Sequence, residues 1–160
     1  MNNEQLNVFL KENFIGKSVI RVTVDSESVF HLGTPEKYLT RRMKDKVRGS
    51  HQIRILHSPW KVLKEKEVIN ENLEKLFDKS SITEIYVNNF SDLFIFYSNN
   101  YRVETFCGNM ICSNEQIMWK IVTPNESICL KKEECGNNYL CSAEGSTHTL
   151  LCRAEGGTNK

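Results

Sequence analysis

Histidine and cysteine are the side chains best able to move protons, attack carbon or ligate metal near neutral pH. This chain carries His31, His51, His57 and His148 together with Cys107, Cys112, Cys129, Cys135, Cys141 and Cys152. Nucleophilic catalysis needs a cysteine or serine held beside a histidine, and nothing in the sequence brings such a pair together. His31 alternates with Phe30 and Leu32, which predicts a strand with the imidazole facing solvent. His51 and His57 flank the apolar run QIRIL and read as polar residues on opposite faces or at strand ends.

A zinc site favours a short Cys-x2-4-Cys pair, and only Cys107 and Cys112 approach that spacing. Disulfides need an oxidising compartment, whereas the N-terminus MNNEQLNVFLKEN lacks the basic and continuous apolar segments of a secretory signal. Free thiols are therefore the expectation, with no metal, no cofactor and a cytoplasmic location. The stretch FIGKS at 14–18 ends like a phosphate-binding loop, but Lys11 stands where that loop needs its first glycine. The same stretch leaves a helix for a strand, the reverse of the order that aims backbone N–H groups at phosphate. With the carboxylates scattered and no H-E-x-x-H, G-x-S-x-G or G-x-G-x-x-G present, no catalytic residue is assigned and an enzyme is not expected.

Charge is the one uneven feature. From Glu36 to Lys66 ten basic residues stand against three acids, in a chain whose formal net charge is only +1. Such a dipole raises the local concentration of an anionic partner and speeds encounter. Arg41, Arg42, Lys44, Lys46, Arg48 and Arg54 are the candidate partner-binding residues.

These residues must be positioned by a scaffold, and its clearest sign is a repeat. Trp60, Lys61, Val62, Leu63, Glu67 and Ile69 match Trp119, Lys120, Ile121, Val122, Glu126 and Ile128, 59 positions apart. Upstream, Val22 and Val24 fall on Ile85 and Val87, and Val29, Phe30 and Leu32 on Leu93, Phe94 and Phe96. A helical pattern precedes each block, through Leu6, Phe9 and Leu10, then Leu73, Leu76 and Phe77.

The expectation is an α+β fold. Two duplicated helix-strand-strand-strand halves, about 6–69 and 70–128, form a mainly antiparallel sheet with the helices on one face. Both tryptophans are expected on equivalent strands with their indoles mostly buried. Thr34-Pro35-Glu36 has helix-starting chemistry, so 35–47 reads as helix by its caps and as strand by its match in the second half. Residues 129–160, rich in Cys, Gly, Ser and Thr, are expected to form a loosely ordered tail dispensable for folding. That tail carries its own small repeat, CSAEGSTHT and CRAEGGTNK. The longest apolar run, LFIFY, is far short of the ~20 residues that cross a bilayer, so no membrane partner is expected.

The segments FIGKSVIRVTVD, DLFIFYSNNYRVETF and IMWKIV resemble small uncharacterised bacterial proteins, some of which sit beside polymorphic toxins and are taken to be immunity proteins. The resemblance covers about residues 9–128. It implies an α+β protein that acts by binding, neutralising a toxin or other effector by occluding it. The alternative is a nucleic-acid or phosphate-ligand binder using the basic 37–66 stretch, although no glycine-aromatic motif of an RNA-binding sheet occurs.

Overall fold

Asn2 starts the first helix through a reciprocal cap. Its side chain accepts from the Gln5 N–H at 2.8 Å, and the Gln5 side chain accepts from the Asn2 N–H at 2.9 Å. The helix α1, Asn3–Phe14, buries Leu6, Leu10 and Phe14 along one stripe. It stops before Gly16, whose φ of +81° is the left-handed conformation that glycine adopts at little cost.

The computed structural model describes residues 1–107, 115–133, 138–144 and 153–154. After α1, runs rich in Val, Ile, Phe and Tyr form β1 (Val19–Val24), β2 (Ser28–Leu39), β3 (Asp45–Ile55), β4 (Trp60–Lys64) and β5 (Glu67–Ile69). A short helix α2 (Leu73–Leu76) precedes β6 (Ile82–Val87), β7 (Leu93–Tyr97), β8 (Tyr101–Thr105), β9 (Gln116–Val122) and β10 (Glu126–Lys132). Two further strands follow, β11 (Asn138–Glu144) and β12 (Arg153–Ala154).

All strand pairings among the described residues are antiparallel. They build two sheets: seven strands in the order β1-β2-β3-β9-β10-β11-β12, and five in the order β5-β4-β8-β7-β6. The mainly antiparallel α+β expectation thus holds in its coarse form, with two sheets in place of one.

One hydrophobic core lies between the sheets. Phe30 of the larger sheet meets Trp60 and Tyr97 of the smaller one at ring-centroid distances of 6.0 and 6.1 Å. The helices pack on different strands, α1 on β6 and α2 on β1. Asn7 of α1 accepts from the Val87 N–H at 2.7 Å and donates to its carbonyl at 3.0 Å, while Glu74 of α2 accepts from the Val24 N–H at 3.3 Å. Each bond satisfies backbone at the end of an edge strand.

The two halves exchange their last hairpins. Strands β1–β3 and β6–β8 are separate meanders, but β4–β5 joins the second meander and β9–β10 joins the first. The registers correspond. Trp60 lies opposite Thr105 and Val62 opposite Val103, while Trp119 lies opposite Ile55 and Ile121 opposite Ile53. Within the hairpins Val62 faces Ile69, and Ile121 faces Ile128.

Two expectations change, and one open alternative is decided. In β2 the sequence match is off by one, because Phe30 faces Val22 while Ile95, not Phe94, faces Ile85. The β6–β7 turn, 88–92, is two residues longer than the β1–β2 turn, 25–27, and a one-residue slip swaps the faces of a strand. Residues 35–47 are a two-stranded ribbon rather than a helix, since five cross-strand pairs, from Pro35–Gly49 to Leu39–Asp45, tie β2 to β3 there. The domain boundary expected at 128 falls inside β10.

Beyond that boundary, Cys129 and Cys141 are buried and directly opposite each other, and Lys132, 1% exposed, donates from Nζ to the Cys107 carbonyl at 2.5 Å. The two copies of the tail repeat pair as well, Cys141 with Ala154 and Ser142 with Arg153. Cys112, Cys135, Cys152 and His148 lie outside the described residues.

Trp119 is fully buried and its indole N–H donates to the Ser91 carbonyl at 3.1 Å, whereas Trp60 is half-buried. Trp119→Ala should therefore cost about 3–5 kcal/mol by chemical denaturation. Trp60→Ala should cost clearly less, and equal losses would contradict this packing. Ending the chain at Leu130 removes Lys132 and β11, and should lower the melting temperature by more than about 10 °C. A melting point unchanged within about two degrees would show that the segment after Leu130 is dispensable after all.

Candidate functional site

A long hairpin carries most of the basic stretch. The inner part of β2–β3 belongs to the seven-stranded sheet, and the outer part projects as a two-stranded arm. The bend between them has a steric cause. Gly33 has φ +82°, and a Cβ on Gly49 would stand 2.3 Å from the Leu32 nitrogen, so neither position admits a side chain without rearrangement. Register shifts between Leu32 and Pro35, and the Ser50 hydroxyl accepts from the Thr34 N–H at 2.9 Å to satisfy the bulged backbone.

At the arm's tip the Met43 N–H donates to the Thr40 carbonyl at 2.8 Å and the Lys44 N–H to the Thr40 hydroxyl at 3.1 Å. Arg41, Arg42, Lys44 and Lys46 surround this turn, all exposed. Leu39 and Met43 stand among them at 60% and 76% exposure.

Arg48 and Arg54 lie further down, on the outer face of the sheet. They and Arg21, an exposed β1 residue outside the sequence-derived set, line a cleft of about 200 Å³. Arg54 is held by an ion pair to Glu27, and Arg48 by Glu36 at 3.4 Å and by stacking over Tyr38 at 5.3 Å. Other cations of the stretch go elsewhere: Lys61 and Lys64 are on β4, in the five-stranded sheet. One linear charge excess thus becomes an arm tip, a cleft and part of a second sheet. Arg21 could have been found only by knowing that β1 pairs with β2, which places it opposite His31.

His31 departs from expectation. It is buried, 7% exposed, at the floor of the cleft, and its Nδ1 accepts from the Gly49 N–H at 3.2 Å. Burial, reinforced by the charges of Arg21 and Arg54, lowers its pKa from 6.5 to about 4. His51 is also buried, edge-on to Phe14 at 5.4 Å, and its pKa is lowered by burial and by Lys17 against an opposing pull from Glu36. Among the described residues, no cluster of three or more His, Cys, Asp or Glu could hold a metal. No helix among the described residues is long and apolar enough to cross a membrane.

The outer face of the other sheet has a different chemistry. Where the first sheet carries Arg21-His31-Gln52 across three strands, the second carries Glu84-Phe96-Arg102, and Thr23-Val29-Arg54 becomes Tyr86-Phe94-Glu104. Tyr86 stacks on Phe94 at 5.0 Å. Against known proteins, this chain matches no family model, and neither the curated proteins nor the solved structures give a significant match.

The neutral His31 has a consequence for stability. Its folded pKa lies below the ordinary value, so the unfolded chain binds the extra proton between about pH 6.5 and 4. The stabilising contribution is complete above that window and is lost as pH falls through it. His31→Asn keeps an acceptor for the Gly49 N–H but does not titrate. It should therefore lose less stability than the parent between pH 7 and pH 5 in chemical denaturation, and parallel declines would place the proton elsewhere.

Proposed function

We propose that this chain is a non-enzymatic, cytoplasmic binding protein built from a duplicated helix, meander and hairpin unit, whose arm docks on the acidic face of a protein partner. In this reading it is immunity-type, occluding a toxin or other effector. The observation that carries it is the arm. The first half projects the ribbon 34–47, and the corresponding β7–β8 connection is the short turn 98–100. A scaffold needs no such extension.

Its tip combines exposed Leu39 and Met43 with Arg41, Arg42, Lys44 and Lys46. Apolar anchors inside a charged rim are the anatomy of a protein interface, where cations steer encounter and buried apolar groups slow release. Support for the duplication comes from the matching registers of β4 on β8 and β9 on β3, and from Asn7 and Glu74 serving Val87 and Val24 in turn.

One observation favours the second reading, a nucleic-acid binder: a two-stranded ribbon has the width of a major groove. The triple change Arg41→Glu, Arg42→Glu, Lys44→Glu separates the two. With the product of the adjacent gene as probe, it should slow association by about tenfold or more at low salt and change dissociation less. With a random-sequence DNA duplex as probe, the second reading requires a linear log-log fall of affinity with salt, its slope reduced by about one unit for each phosphate-neutralising cation removed. Tight duplex binding without binding of the neighbouring product would replace the first reading by the second. No effect of the triple change on either probe would remove the arm from function.

A further inference from the structure

The cleft at the base of the arm has a separate chemistry, and we propose that it is a binding site for the phosphoryl group of a small phosphate monoester, with Arg21 and Arg54 as its principal contacts. Three arginines line it against one acid, Glu27. Glu27 and Glu36 hold two of the guanidiniums, Arg54 and Arg48, in place, while Arg21 has no ion-pair partner among the described residues. A fixed guanidinium fork presents paired N–H donors that match the oxygens of a phosphate.

The floor adds neutral donors. Because Nδ1 of His31 accepts from the Gly49 N–H, its ring proton resides on Nε2, which makes that nitrogen a donor. Thr23 and Gln52 line the same cavity. Burial, reinforced by the charges of Arg21 and Arg54, keeps this imidazole neutral.

The fold does not require this composition. Corresponding positions on the other sheet hold Glu84, Phe96 and Glu104 in place of Arg21, His31 and Arg54. At about 200 Å³ the cavity is smaller than the ~300–1,000 Å³ typical of sites for drug-sized ligands, so it suits one phosphoryl group with a small attached body. An extended polyanion would instead require the charges to continue along the sheet.

The test is calorimetric titration of the full chain with inorganic phosphate and with glycerol 3-phosphate, at low ionic strength. One saturable site with Kd at or below about 1 mM is expected, accompanied by a shift of the His31 ring resonances. Arg21→Ala should weaken binding about tenfold or more, with Arg21→Lys intermediate because it keeps the charge and loses the fork. Thr23→Val provides a second, milder loss on the same strand.

The tip variant Arg41→Ala, Arg42→Ala, Lys44→Ala should leave phosphate affinity within about twofold, which distinguishes failure of this site from failure of the arm as a docking element. Absence of saturable binding, equal weakening by the tip variant, or binding of citrate without phosphate would each overturn the assignment.

Discussion

The cross-pairing of β3 with β9 and of β8 with β4 is the constraint on which the remaining structure depends. A three-stranded meander exposes one apolar face and a bare edge strand, and neither can be satisfied locally. Each meander gains a hairpin from the opposite end of the other half, so both sheets widen and their inner faces close on one core. Val62 and Val103 enter it from one pairing, Ile53 and Ile121 from the other. Neither half can bury its apolar face alone, and the pairings that complete the fold join residues far apart in sequence, a topology associated with slow folding.

The same arrangement explains where the helices go. Once the sheets have exchanged hairpins, β1 and β6 are left as edge strands, and an uncovered edge invites further pairing. The helix beginning each half lies against the edge strand of the other, with a side chain, Asn7 or Glu74, bonded to backbone there. Ser18 and Ser81 meet in a bridge between the two edges, which joins the sheets at one side.

The inner faces are committed to the core, which leaves the outer faces as the freely variable surfaces. On the larger sheet that freedom is used for cations over a buried neutral histidine. On the smaller it is used for an aromatic row, Tyr86, Phe94 and Phe96. Glycine at 33 and 49 allows the β2–β3 ribbon to bend out of the sheet, so one local backbone requirement creates both the arm and the wall of the cleft.

The helical spacing of Leu6, Phe9 and Leu10 and the alternation around His31 were legible in the sequence, because such periodicity acts over a few residues. The paired Trp-Lys segments both lie on strands, β4 and β9. Local chemistry left 35–47 ambiguous, since Thr-Pro-Glu can start a helix and only ladder bonds to β3 make the segment a strand. It gave no sign that β11 covers β10, because a strand pairs only where a neighbour offers an edge, which local sequence does not show.

The candidate residues Arg48 and Arg54 were read from charge density, yet Arg21 was not, and the surrounding cations were counted as one patch. Sequence determines which residues can be strand, turn or cation. Which cations face one another is settled only in the tertiary structure, because strand pairing across dozens of residues chooses the neighbours.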